Sequence, residues 1–250
     1  MPRFDVITLM PELFEPHLKL GVTRRAFETD AVQVKLWPLR EHAQGGYRRV
    51  DDRPFGGGPG MVMLAEPLHR CIQAIQDDRH GIAPLIHFTP TGRPLTQHLV
   101  RQWAQGPGAI LLCGRYEGVD QRLLDRHEAV DVSVGDFVLS GGDLPALLLL
   151  DAVARLQPGV LQDPASHQLE SFEGDGLLEG PHFSRPEVWP EGPGGHPVPP
   201  VLLSGHHADI QRWRRQQSLR VTARNRPELI ELARREGRLS EEDLAFLATL

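Results

Sequence analysis

The sequence predicts an α/β domain with a mostly parallel sheet, followed by a small C-terminal helical domain. Three observations carry this. Short apolar runs alternate with segments of helical spacing through the first 156 residues, as strand–helix–strand units require. Between Gln157 and Pro200 nine prolines and seven glycines break any periodic pattern. Beyond that stretch the helical period returns.

In chain order, Arg3-Phe4-Asp5-Val6-Ile7-Thr8-Leu9 reads as a buried first strand, and Pro11 opens a helix at its favoured first position. Ala31 to Trp37 alternates apolar and polar, the period of a half-buried strand. Glu66 to Gln76 has helical spacing. Ala83 to Phe88 and Ala109 to Cys113 are short apolar runs bounded by Gly and Pro; helices are expected after them, near Leu95–Trp103 and Asp120–Asp125. Ala129 to Val134 is a further strand and Leu144 to Leu156 a strongly apolar helix. Ala208 to Arg220 is helical in pattern, Pro227 starts another helix, and Ser240 with Asp243 three residues on resembles a capping box. The expected division is a domain over 1–160, a Pro/Gly-rich linker or lid over 161–200, and a basic helical domain over 201–250. A structureless stretch of that length is usually a functional lid or a linker.

The whole-chain properties exclude several classes. Apolar residues make up 40% of 250, ordinary for a globular protein. The longest apolar candidate, Leu144 to Leu150, falls far short of the roughly 18 residues of a membrane span. The N-terminus has no basic-then-apolar signal pattern, so a cytoplasmic protein is expected. Cys71 and Cys113 have no metal-ligand spacing and read as small buried apolar residues. Net charge is −6, but it is unevenly spread: nine arginines face four acids from His206 to Arg238. Such a basic patch on an acidic chain suits an RNA partner. Only Lys19 and Lys35 are lysines, so a GC-rich genome accounts for the arginine bias equally well. His206-His207 lacks a third ligand nearby and reads as a capping or RNA-facing pair. Trp213 among Arg212, Arg214 and Arg215 reads either as a base-stacking ring or as a core anchor.

Three glycine-rich places stand out. Gly56-Gly57-Gly58-Pro59-Gly60-Met61 is neither a dinucleotide fingerprint nor a P-loop. It reads as a tight surface loop or as one that lets a ligand or RNA backbone approach closely. Cys113-Gly114-Arg115-Tyr116-Glu117-Gly118 and Val134-Gly135-Asp136-Phe137-Val138-Leu139-Ser140-Gly141-Gly142 follow predicted strands, as does Phe88-Thr89-Pro90-Thr91-Gly92. They are either ordinary turns or the walls of one crevice at the carboxyl ends of the strands. None has phosphate-cradling chemistry; bare backbone groups at Gly135, Gly141 and Gly142 suit a ligand with an adenine and an amino acid.

These segments, with Val50-Asp51-Asp52-Arg53-Pro54, Pro158-Gly159-Val160, Pro181-His182, Arg185-Pro186-Glu187-Val188, Pro199-Pro200-Val201-Leu202-Leu203-Ser204-Gly205 and Arg212-Trp213-Arg214, closely resemble the tRNA (guanine-N1)-methyltransferases of the SPOUT class. The resemblance runs in order from about residue 4 to about residue 230. It implies a deep trefoil knot in the α/β domain, an exception to the rule that chains do not thread loops. It implies S-adenosylmethionine bound in the knot loops, a homodimer with shared active sites, and tRNA as substrate at N1 of guanosine 37, preceded by a guanine. It also implies a Mg²⁺ requirement, with no ligand residues assigned. The implied donor-binding residues are Phe88, Thr89, Pro90, Gly114, Tyr116, Glu117, Val134, Gly135, Asp136, Phe137, Val138, Leu139, Gly141, Gly142 and Pro145. RNA contacts are expected at Asp51, Ser166, Arg212, Trp213, Arg214 and Arg215. The implied catalytic pair is a carboxylate general base and an arginine stabilising O6. The arginine matches Arg155, which without the resemblance reads as a surface residue pairing with Asp151. The base position is Glu170 where the family has aspartate, a departure of one methylene; Asp163 and Asp175 are the alternatives. A silent RNA-binding protein that keeps the fold is the second reading.

Overall fold

In a computed structural model the chain is described over residues 1–161, 170–190 and 194–250. It divides into two compact units, Met1–Gln162 and Asp163–Leu250. Ser166 and Asp163 lie outside the described residues.

The first unit holds strands β1 (Arg3–Thr8), β2 (Gln33–Pro38), β3 (Asp51–Asp52), β4 (Val62–Met63), β5 (Leu85–Pro94), β6 (Gly108–Leu112) and β7 (Val130–Ser133). Its helices are α1 (Glu15–Lys19), α2 (Arg24–Glu28), α3 (Ala65–Arg79), α4 (Gln97–Gln105), α5 (Gln121–Arg126) and α6 (Asp143–Ala154). Five strands form one sheet in the order β2-β1-β6-β5-β7, parallel throughout, as alternating strands and helices require. The expected α/β class with a mostly parallel sheet is what forms.

Alternation along the strands sorts side chains into two cores. Phe4, Val6, Ile86, Ala109 and Leu111 pack with α4 and α6 on one face. Ile7, Leu85, Ile110 and Leu112 pack with α3 and α5 on the other. Both faces are covered, so β6 is buried along its length and reads as an unbroken apolar run. Two local features differ from the sequence expectation. Pro11 opens only a 3-10 turn, Pro11–Leu13, and α1 follows it. β5 continues past Phe88, shifting register before Arg93 pairs with Val132. There a Cβ on Gly92 would lie 2.4 Å from the Val132 nitrogen, so only glycine lets the strands meet.

Asp5 is fully buried on β1, yet its carboxylate is satisfied. Arg3 donates at 2.8 Å, Arg79 at 2.6 Å and the Trp37 indole at 2.8 Å. These bonds tie β1, β2 and the end of α3 into one corner.

The second unit contains β8 (Val188–Trp189), β9 (His196–Pro197), α7 (His207–Asn225), α8 (Pro227–Arg235) and α9 (Glu241–Leu247). Ser240 caps α9 through a reciprocal box with Asp243, and Pro227 occupies the first turn of α8. Its small core is Leu177, Leu219, Ile230 and Ala233. Part of the Pro/Gly-rich stretch is therefore structural here: Leu177 enters the core, the Leu178 N–H donates to Thr222 Oγ1 at 2.9 Å, and Ser218 Oγ donates to the Leu178 carbonyl at 2.6 Å. A lone pair of leucines among glycines and acids gives no periodic signal, which is why the segment reads as linker.

Leu177→Ala is expected to destabilise the second unit by about 2–5 kcal/mol, the usual cost of a buried Leu→Ala change. Calorimetry should show the transition of that unit shifted down while the transition of the first unit stays in place.

Candidate active site

The irregular middle of β5, where its register shifts, and the loops after the neighbouring β6 and β7 wall a cavity of about 320 Å³. That is the expected ligand position in a parallel sheet and a small-molecule size. Phe88, Thr89 and Pro90 form one wall, Gly114, Tyr116 and Glu117 a second, and Val134, Gly135, Phe137, Val138, Leu139, Gly141 and Gly142 a third; Pro145 closes it from α6. Of the expected donor-binding residues, only Asp136 does not line the cavity; it is exposed.

Two glycines have a reason different from ligand access. A Cβ on Gly142 would come within 2.9 Å of the Cys113 Cα, and one on Gly141 within 2.5 Å of the Arg115 side chain. Their missing side chains let two loops meet back to back, sealed by the Gly142 N–H donating to the Gly114 carbonyl at 2.8 Å.

A polar clamp lies behind that seam. The Asp143 side chain is 1% exposed; it accepts from Thr8 Oγ1 at 2.5 Å and from Arg115 Nε at 2.7 Å. Three segments distant in sequence are thereby joined: the end of β1, the loop after β6 and the start of α6. Near the N-terminus of α6 a carboxylate also meets the positive end of the helix dipole. Burial beside Asp143 pushes the Cys113 thiol well above its usual range, so it stays protonated and is no nucleophile. The Gly56–Gly60 loop joins the rim: the Glu117 N–H donates to the Met61 carbonyl at 2.9 Å, and a Cβ on Gly60 would strike the Glu117 side chain.

Sequence reasoning missed His87, Val132 and Ser133 as lining residues. His87 Nδ1 lies 2.9 Å from Asp131 Oδ1. A polar residue inside the apolar run Leu85-Ile86-His87-Phe88 was the available signal.

The second unit has its own cavity, about 830 Å³, whose lining includes Glu170, Asp175, His182, Trp213, Arg214 and Arg215. Asp175 and Asp243 clamp Arg215; the Asp243 bond is 2.8 Å, and the guanidinium beside it holds the Asp243 carboxyl below its usual range. Arg215 is thus committed to holding α7 to α9 and the 175 turn. Trp213 leans on Phe183 with ring centroids 6.1 Å apart. Arg155 caps the C-terminus of α6 in the first unit. Asp51 pairs with Met63 between β3 and β4. Among the described residues no group of three or more His, Cys, Asp or Glu could hold a metal, so the expected Mg²⁺ finds no ligand set there. Hard oxygen ligands in near-octahedral array are what Mg²⁺ needs. No helix among them is long and apolar enough to cross a membrane.

Residues 2–232 match the family described as "tRNA (Guanine-1)-methyltransferase TrmD". The chain belongs to that family. Among curated relatives of the TrmD family, the "tRNA (guanine-N(1)-)-methyltransferase" of Leptothrix cholodnii is 63% identical over 248 residues, covering 99% of each chain. The protein of the same name from Paracidovorax citrulli is 62% identical over 254 residues, covering 99% and 98%. That from Burkholderia multivorans is 52% identical over 252 residues, covering 99% and 94%.

Asp143→Ala would leave Arg115, whose side chain is 16% exposed, without its partner. The variant is expected to lose about 3–5 kcal/mol of stability in the first unit, the cost of orphaning a buried charge. Denaturant melts check this; a loss under 1 kcal/mol, within the range of surface pairs, would show that the clamp is not structural.

Proposed function

We propose that this protein transfers a methyl group from S-adenosylmethionine to N1 of guanosine 37 in tRNA, where that guanine follows another guanine, and that it does so in the cytoplasm as a homodimer with shared active sites. The observation that carries the reading is the glycine-rich cavity between the middle of β5 and the loops after β6 and β7, in a TrmD-family chain.

The residues fit the donor. Arg115, the arginine at the cavity, is held by Asp143, so nothing there is set to grip a phosphate. Phe88, Phe137, Leu139 and Pro145 supply apolar surface for an adenine, and Glu117 places a carboxylate beside a cationic ligand. The bound donor supplies an electrophilic methyl on a sulfonium sulfur.

The rest is the work of the protein. Guanine N1 carries a proton and is a poor nucleophile until a base takes it. Glu170 accepts that proton; the N1 electron pair forms the new bond to the methyl carbon, and the S–CH₃ pair returns to sulfur. Negative charge that builds on O6 is met by Arg155. Of the alternative bases, Asp175 accepts from Arg215 and from the Leu177 N–H at 3.2 Å and so helps to hold the second unit together. Glu170 lies in the second unit and Arg155 in the first.

A homodimer is supported by α6. Leu144 and Leu148, one turn apart, are each 53% exposed, and Met10 and Leu13 are 42% and 44% exposed. Exposed leucines a turn apart on so apolar a helix need cover that one chain does not give them.

Glu170→Gln is expected to lower the single-turnover methylation rate by about 10²-fold or more while S-adenosylmethionine affinity is kept. Glu170→Asp should remain active. Full activity of the Gln variant would remove Glu170 from the role. The alternative of a silent RNA-binding protein is separated by thermal melts: S-adenosylhomocysteine at 100 times its Kd should stabilise by about 2.7 kcal/mol. No shift at millimolar ligand would favour the silent protein.

A further inference from the structure

The nine arginines from His206 to Arg238 separate into two groups once their partners are known. Arg212 reaches Asp209 and Glu242, Arg226 reaches Glu228, Arg234 reaches Glu231, and Arg238 reaches Glu236. Arg215 is clamped by Asp175 and Asp243. These five charges are balanced where they stand. Arg214, Arg220, Arg224 and Arg235 are exposed and make no ion pair among the described residues.

Three of those four are on α7. Trp213, Gln217, Arg220 and Arg224 follow the spacing i, i+4, i+7, i+11, one stripe along a helix, with Arg214 at its edge. From Trp213 to Arg224 the stripe runs about 16 Å at 1.5 Å per residue. The opposite face carries buried Leu219 and Thr222 and the clamped Arg215, so the stripe points away from the core of the unit. Arg220 rests over the Phe246 ring at 5.6 Å, which orients its guanidinium without neutralising it. At the other end Trp213, Arg214 and Gln217 border the cavity that contains Glu170. The stripe therefore leads from unpaired arginines to the proposed base.

We propose that this stripe of α7, rather than the basic segment as a whole, is where the second unit holds the RNA backbone, with Arg220 and Arg224 on phosphates and Arg214 at the mouth of the cavity. The proposal rests on tRNA being the substrate. The physical reason is counterion release. An arginine already balanced by a carboxylate gains little when a phosphate arrives, because the carboxylate must be displaced. An unpaired arginine exchanges mobile ions for the phosphate, and that exchange drives binding. Salt dependence thus counts the arginines in use.

The test measures tRNA affinity of the full chain across salt concentration. Arg220→Gln with Arg224→Gln should weaken binding at least tenfold at low salt and reduce the log–log salt slope by about 2, one per lost phosphate contact. Arg226→Gln with Arg234→Gln, which removes two paired arginines, should leave both quantities unchanged. Thermal melts matching the parent confirm that both doubles are folded. The stripe is overturned if its double variant keeps the parental slope, or if the paired double lowers the slope as much. A parent that methylates tRNA while its stripe variant keeps the slope refutes the stripe alone. A parent that neither binds nor methylates tRNA refutes the substrate and the stripe with it.

Discussion

One buried carboxylate, that of Asp143, holds together the loops that shape the cavity of the first unit. Thr8 at the end of β1, Arg115 after β6 and Asp143 at the head of α6 meet only in the folded chain; the Thr8–Asp143 bond spans 135 positions. Each loop alone is a glycine-rich turn with many conformations and a high entropy cost of ordering. Burial makes the carboxylate bond costly to break, so it fixes the loops in one arrangement. The close approach of Gly142 to Cys113 is the steric half of the same constraint, since any Cβ there would push the seam apart. Preorganisation of this kind lets backbone groups recognise a ligand that offers no phosphate to grip.

Much of the fold was legible because burial on both sheet faces leaves plain marks. β6 is an apolar run, β2 alternates, and α6 is strongly apolar. The cavity was also legible, since its walls are contiguous motifs in or just after neighbouring strands. Three features were not. The clamp was hidden because its members are far apart in sequence, and Asp143 alone looks like any acid in a first helical turn. Leu177 was hidden because an isolated pair of leucines among glycines and acids has no period. The commitment of Arg215 was hidden because sequence shows charges without their partners; it reads as an RNA contact until Asp175 and Asp243 are seen around it.

Each unit carries a cavity of its own. The first also holds Arg155 at the end of α6; the second holds Glu170 in the lining of its cavity and the exposed arginines of α7. In the proposed mechanism Glu170 in place of an aspartate adds reach of about one C–C bond, about 1.5 Å.

The most direct measurement is the position of the modified nucleotide. Purified protein, S-adenosylmethionine and a tRNA with guanines at positions 36 and 37 should yield 1-methylguanosine at position 37 by nuclease digestion and mass spectrometry. A tRNA with adenosine at position 36 should stay unmodified. Methylation at another nucleotide or another atom, or none with a donor-bound and folded protein, would contradict the account.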